Sequence, residues 1–281
     1  MPHHPALSLG RTAVITGAAS GIGLAAAKRF ASFGMHVVLA DLAGPALAQA
    51  AAEVAAVPHA GETMAVATDV ADYTAVQALK TAAYDRFGAV DVLMNNAGVG
   101  DGGGAFGDIE AWRRVIDINL WGVIHGINVF APAMAAKAKP GLIINTGSKQ
   151  GITTPPGDTA YNVSKAGVKV ATEGLQHDLR NLKDCQVSAH LLVPGFTYTG
   201  LTQRAERPAA AWTPYQVIDE MLKGIAAGRF YIICPDNDVT PEIDRKRMRW
   251  AADDAILGRA PLSRWHPDYA EAFADHMAAE E

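Results

Sequence analysis

Three glycines, Gly17, Gly21 and Gly23, fall within seven residues straight after the buried-strand pattern Arg11-Thr12-Ala13-Val14-Ile15-Thr16. Beyond them Ile22, Ala26, Phe30 and Phe33 keep helical spacing up to Gly34, so the segment reads as strand, tight turn and helix. An ordinary strand-to-helix turn needs one glycine. Three let the backbone pass close to a bulky group and present the first N–H groups of the helix to it, which suits a pyrophosphate. Taken alone, the glycine spacing leaves the two readings level, and the rest of the chain has to separate them.

The second strand, Met35 to Ala40, ends at Asp41, eighteen residues after Gly23. A carboxylate there accepts hydrogen bonds from ribose hydroxyls and repels a 2′-phosphate; it could equally cap the helix of the Ala-rich stretch from Pro45 to Ala56. Thr63 to Thr68 is a third strand, and Asp69 after it is also placed to cap a helix, one that keeps Val76, Leu79, Ala83 and Phe87 on one face and stops at Gly88. Val90 to Met94 leads into Asn95-Asn96-Ala97-Gly98, and Gly100-Asp101-Gly102-Gly103-Gly104 is too glycine-rich to hold one conformation unaided. A long helical stretch from about Asp108 to Lys137 carries Asn119, Trp121 and His125, the last two read as core or interface. The strand Gly141 to Asn145 then ends in Thr146-Gly147-Ser148.

Thirteen positions after Ser148 stands Tyr161, and Lys165 follows four residues later. That spacing puts phenol and amine on one helix face, able to meet at one substrate atom. A phenol titrates near pH ~10, and a fixed ammonium beside it favours the phenolate. Tyr161 is therefore a candidate general acid/base with Lys165 as its tuner, although such pairs also occur by chance on solvated helices. The face Val168, Ala171, Leu175, Leu179 and Leu182 of the same helix is expected to join the core.

Taken together and in this order, the TGxxxGxG turn at Thr16–Gly23, Asn95–Gly98, Asn119, Ser148 and the Tyr161/Lys165 pair resemble the short-chain dehydrogenase/reductase family, from about Arg11 to about Cys234. The resemblance implies an α/β fold: one doubly wound, Rossmann-type domain with a mostly parallel sheet and helices on both faces. It implies hydride transfer between NAD and the carbinol or carbonyl carbon of a small to medium alcohol or ketone. It gives a catalytic set in which Tyr161 handles the proton, Lys165 tunes it and binds the nicotinamide ribose, Ser148 holds the substrate oxygen and Asn119 supports a water relay. Cofactor contacts are implied for Gly17, Ser20, Gly21, Ile22 and Gly23, for Asp41, for Asp69 and Val70 at the adenine, for Asn96, Ala97 and Gly98, for Tyr161 and Lys165, and for Val193, Pro194, Gly195, Thr197 and Thr199 near the nicotinamide. Neither Ala19 nor Leu42 supplies the basic residue that NADP-using members place there, so NAD is favoured over NADP. The helix from Asp108 and the one after Tyr161 form a subunit contact in the family, implying a homo-oligomer, dimer or tetramer. Two alternatives stand beside this reading. One is a non-catalytic dinucleotide-binding regulator, against which the intact hydroxyl set argues. The other is an NAD-dependent epimerase or dehydratase, a branch with a different glycine turn and a larger carboxyl-terminal domain.

The chain has 281 residues, net charge −5 and nine histidines. Length and motif order suit a single domain over 1–281. The charge offers no nucleic-acid or membrane surface, and no apolar run is expected to reach transmembrane length. Cys185 and Cys234 lie far apart without CxxC spacing, and Met1 to Pro5 lack a signal-peptide pattern, so a cytoplasmic protein is expected. The histidines show no HExxH, and Asp236-Asn237-Asp238 lacks the glycine and the twelfth-position glutamate of a calcium loop, so no metal site is expected. Between Ser148 and Tyr161, the polar Lys149, Gln150, Thr153 and Asp158 point to a ligand with more than one oxygen, or simply face solvent. The insert from Gly200 to about Pro214, carrying Arg204, Glu206, Arg207 and Trp212, is short and leaves an open pocket. The basic run Arg245-Lys246-Arg247-Met248-Arg249 reads as a solvated or subunit-facing helix surface. In the extension 235–281, Thr240-Pro241 is a helix start, Ile243, Trp250 and Ile256 follow, and Trp265, Tyr269 and Phe273 repeat at four-residue spacing. The extension is expected to fold as helices over the substrate cleft or against a neighbouring subunit.

Overall fold

Strand and helix alternate along the chain, and each helix has to return the backbone to the same end of the sheet before the next strand begins. The computed structural model describes residues 4–202 and 205–279, with Arg204 of the insert outside them. In chain order the elements are β1 (Thr12–Thr16), α1 (Gly21–Ser32), β2 (His36–Asp41), α2 (Pro45–Ala55), β3 (Thr63–Ala67), α3 (Tyr73–Phe87), β4 (Val92–Asn95), α4 (Ile109–Ile116) and α5 (Gly122–Ala135). They continue with β5 (Gly141–Thr146), α6 (Gln150–Thr153), α7 (Thr159–Asn181), β6 (Val187–Val193), α8 (Pro214–Ala226), β7 (Tyr231–Ile233), α9 (Pro241–Ile256) and α10 (Ala270–Ala278).

All seven strands are parallel, in the order β3-β2-β1-β4-β5-β6-β7. The chain first steps outward from β1 to β3, then crosses back to lay β4 against the other side of β1. That reversal opens a crevice at the carboxyl ends of β1 and β4, where ligands bind in open α/β sheets. The fold is the doubly wound, Rossmann-type sheet expected from the motif order.

Side-chain alternation divides the core between the two faces of the sheet. Ile15, Val37, Leu39, Met94, Leu142 and Ile144 pack with Phe30 of α1 and Met221 of α8. Val14, Val38, Leu93 and Ile143 pack on the other face with Leu79 of α3, Phe130 and Met134 of α5 and Leu179 of α7. Each such side chain contributes roughly 1.5–3 kcal/mol on burial. On α7, Val168 and Leu179 are buried as expected, but Leu182 is 53% exposed because it lies past the last helical residue, in extended backbone.

One expectation fails on the long helix. The continuous run Ile109–Ala135 does have the length and mean hydropathy, 1.2 over its most apolar window, of a membrane span. Val115, Val123, Val129, Phe130 and Met134 of this run are nevertheless buried in the fold, whereas Ile109 and Trp121 are exposed.

Beyond β7, Thr240 caps α9 by accepting from Ile243 N at 3.3 Å. Trp250, 4% exposed, is the centre of the extension: Phe273 of α10 meets its ring edge-on at 5.2 Å, Arg259 lies 3.8 Å over it, and its Nε1 donates to Ser263 Oγ at 2.8 Å. Ile256 faces solvent instead, 73% exposed. The basic run also departs from a solvated surface. Lys246 is buried, closing α10 onto α9 by donating to Met277 O and Ala279 O, each at 2.7 Å.

Candidate active site

The glycine turn is tight for reasons visible at each glycine. Gly17 has φ +64°, and a Cβ there would stand 2.7 Å from Ala97 Cα; Gly21 has φ +55°, with Thr199 Cγ2 3.2 Å from where a Cβ would be. The left-handed backbone at both positions, and the close backbone contact at Gly17, call for glycine. Gly23 does not line the cleft: its Cβ would fall 2.2 Å from Gly17 O, so it seats the helix on the turn. Ser20, the residue before α1, makes no side-chain cap, in contrast to Asp72, Asp108, Asp158 and Thr240 before other helices. The first N–H groups of α1 are thus left to an anion in the cleft. These features fit a dinucleotide pyrophosphate.

The cleft measures about 660 Å³ and follows the strand order. Gly17, Ser20, Gly21 and Ile22 line its middle with Asn96, Ala97 and Gly98; Asp41, Asp69 and Val70 line the β2–β3 side; Ser148, Tyr161, Lys165, Pro194, Gly195, Thr197 and Thr199 line the β5–β6 side. Asp41 is no helix cap, because Gly44 precedes α2. Its carboxylate accepts from Ala19 N and Leu42 N, each at 2.8 Å, tying the end of β2 to the glycine turn. Asp69 accepts from Ala71 N at 3.0 Å, while Asp72 caps α3. Val193 lies fully buried in β6, its carbonyl taken by Cys234 N at 2.9 Å, and does not reach the cleft.

Asn96 buckles its loop to the turn: its N–H donates to Thr16 Oγ1 at 2.9 Å and its Nδ2 to Thr16 O at 3.1 Å. Asn119 sits in a π-helical turn, Asp117–Trp121, between α4 and α5. An extra residue in a helical turn displaces side chains from the regular faces. Asn119 is fully buried and does not line the cleft. Its amide brackets Val99, accepting from N at 2.8 Å and donating to O at 2.9 Å, and donates to Ser164 Oγ at 3.1 Å. Both hydrogens of its side-chain amide are thus engaged by protein groups.

Lys165 is 4% exposed. Its Nζ donates to Thr146 O at 2.9 Å and lies 5.7 Å from the centre of the Tyr161 ring. Burial lowers its pKa to about 8. The Tyr161 phenol is raised above its ordinary value, chiefly by burial; the Ser148 hydroxyl pulls it down and the Asp158 carboxylate raises it further. This corrects the expectation of a phenol lowered by Lys165: the amine is itself desolvated and turned to the Thr146 carbonyl.

Sequence reasoning missed the role of Asp158. It caps α7 by accepting from Tyr161 N at 3.1 Å and holds the glycine-rich loop by accepting from Asp101 N at 3.1 Å. An acid three residues before Tyr161 is itself a cap signal. That loop is held further by Trp112 Nε1 donating to Gly104 O at 3.0 Å and Arg114 donating to Gly100 O at 2.9 Å. Of the other polar residues in the segment, Lys149 and Gln150 line the cleft while Thr153 faces a second cavity. Lys149 Nζ stands 2.7 Å from Asp244 Oδ2 of α9 and 3.6 Å from Asp236 Oδ2. Asp236 also accepts from Phe196 N at 3.2 Å and from Val239 N at 2.8 Å, so the calcium-loop lookalike is a tie between the β6 loop and the extension. From the insert, Trp212 N donates to Phe196 O at 2.9 Å.

Residues 11–210 match the family described as short chain dehydrogenase. The chain is 34% identical over 229 residues to a 1-deoxy-11-beta-hydroxypentalenate dehydrogenase of Streptomyces avermitilis, covering 79% of this chain and 83% of that protein. Among solved structures it is similar to a short chain dehydrogenase/reductase from Burkholderia phymatum in complex with NAD, with TM-score 0.81, 36% identity, and coverage of 90% of this chain and 96% of that one. It is also similar to a metagenomic short-chain oxidoreductase in complex with NADP, with TM-score 0.66, 32% identity, and coverage of 78% and 92%.

Proposed function

Because the chain belongs to the short chain dehydrogenase family and is an oxidoreductase acting on alcohol or ketone substrates with a dinucleotide, we propose that its cofactor is NAD and that Tyr161 moves the substrate proton. The observation carrying the cofactor choice is Asp41, whose carboxylate lines the cleft at the end of β2 with Ala19 and Leu42, not a basic residue, beside it. A 2′-phosphate at that carboxylate meets like charge, whereas ribose hydroxyls donate to it.

Bound NAD supplies the hydride acceptor for alcohol oxidation, and its reduced form the donor for carbonyl reduction. In reduction the neutral Tyr161 phenol donates its proton to the carbonyl oxygen, and the Ser148 hydroxyl steadies that oxygen and the phenolate left behind. In oxidation the phenolate accepts the hydroxyl proton. Lys165, anchored on Thr146 O, presents positive charge beneath this exchange. Asn119 ties the Val99 loop to α7 through Ser164.

Purified protein assayed with a panel of secondary alcohols and ketones, using each dinucleotide in turn, tests the reading. A higher kcat/KM with NAD than NADP is expected, and Asp41→Ala should narrow the gap. Equal values for the wild type would remove Asp41 as the selector.

A further inference from the structure

A second cavity of about 440 Å³ lies between α6, α9 and the turn at 261–265. It shares a wall with the cleft, since Lys149 and Gln150 face one and Ile152 to Thr154 the other. Thr154 holds φ +41° there, a conformation strained for a β-branched residue, immediately before Pro155. We infer that this cavity binds a small organic acid, its carboxylate on Arg247 and Arg264 and its apolar body against Ile152, Met248 and Trp265.

Three guanidiniums and one carboxylate line the cavity. Arg259 and Asp254 are spent locally. Arg259 Nε lies 3.0 Å from Asp254 Oδ1, and its Nη2 donates to Trp250 O at 2.6 Å; Asp254 also accepts from Ser263 N at 3.1 Å and Ser263 Oγ at 2.5 Å. Positive charge is left over on Arg247 and Arg264. Arg247 Nε is buried without a hydrogen-bond partner among the described residues. Arg264 lies over the rings of Trp265 at 4.6 Å and Phe273 at 5.4 Å, cation–π contacts that hold the guanidinium in place. Burial and the neighbouring Arg247 lower Arg264 to about 10, with Asp244 opposing them. Asp244 acts on both arginines but is one carboxylate for two guanidiniums, and its Oδ2 also stands 2.7 Å from Lys149 Nζ. A carboxylate between the two guanidiniums offsets the repulsion between them. Trp265, 38% exposed at the rim, offers an aromatic wall to the rest of such a molecule.

Calorimetric titration of the NAD-saturated full-length protein with benzoate, phenylacetate, 4-phenylbutyrate and octanoate, each paired with its neutral amide, tests this. At least one acid is expected to bind at or below about millimolar concentration and about tenfold tighter than its amide. Arg264→Gln and Arg247→Gln should each weaken that acid about fivefold or more with NAD affinity unchanged. The acid–amide comparison uses the unmodified protein and stands if a variant fails to fold. Equal affinity for acid and amide, no binding by any of the four acids, or binding seen only when NAD is left out, which would place the acid in the glycine-turn cleft, would each overturn the inference.

Discussion

Asp158 stands three residues before Tyr161, accepting from its backbone N–H and raising its phenol. Tyr161→Phe is expected to lower kcat by about 10²- to 10⁴-fold, the usual worth of a positioned acid/base, with NAD affinity by titration nearly unchanged; more than a tenth of wild-type turnover would sink the assignment. Asp158→Asn makes the finer test. Asn keeps the α7 cap but removes the charge that raises the phenol. A raised pKa keeps the proton on at neutral pH, and losing that contribution lets it leave at lower pH. Alcohol oxidation, which needs the phenolate, should therefore rise at lower pH in Asp158→Asn than in the wild type. Superimposed profiles of kcat against pH would show that Asp158 acts only as a cap. The residues of this site were legible because their types recur at fixed separations in the chain. Their partners were not: the Thr146 carbonyl under Lys165 and the Val99 backbone around Asn119 are main-chain groups, which carry no residue signature. Gly23 and Val193 were assigned to the cofactor by the motif, yet one spares space inside the turn and the other closes the sheet.

At the scale of elements, the boundaries that chemistry marks were readable and those that packing makes were not. Gly88 ends α3 in the left-handed conformation and Thr240-Pro241 starts α9, as local rules require. The π turn at Asp117–Trp121 has no such mark; it arises where Asn119 has to reach the Val99 backbone. The extension's aromatic spacing announced helices but not what they cover, since Trp250 finds Ser263, Arg259 and Phe273 only once the chain has turned back. Among the described residues, none beyond Cys234 joins the three apolar clusters that pack on the sheet, so the extension is a satellite with its own centre. Trp250→Ala should cost about 3–5 kcal/mol, and the loss should fall on that satellite alone. Hydrogen exchange is expected to show α10 amides losing protection while β1, β4 and β5 keep theirs. Equal loss in α10 and the sheet would mean that the extension folds as one unit with the domain.

Across the whole molecule, the cleft lies at the carboxyl ends of the strands while the flank formed by α5, α7 and the π turn carries apolar side chains on its outer side. Trp121 is 48% exposed, Val163 45% and Val170 64%. Single exposed apolar residues are ordinary, but Val163 and Val170 lie seven residues apart, two turns along one face of α7. A second copy presenting the same helices about a two-fold axis would cover this flank on both chains at once, because such an interface is self-complementary. The expected state is accordingly a homo-oligomer built on that contact. Val170→Glu tests it away from the chemistry: nine residues after Tyr161 on α7, it stands about 13 Å along the helix axis from the phenol's residue. A carboxylate forced into an apolar interface loses its water without gaining a partner, so light scattering should show the variant at a smaller assembled mass than the wild type. Its affinity for NAD should be unchanged, because none of the cleft-lining residues is moved. A monomeric wild type, or a Val170→Glu variant of unaltered mass, would mean that the oligomer, if formed, uses another face.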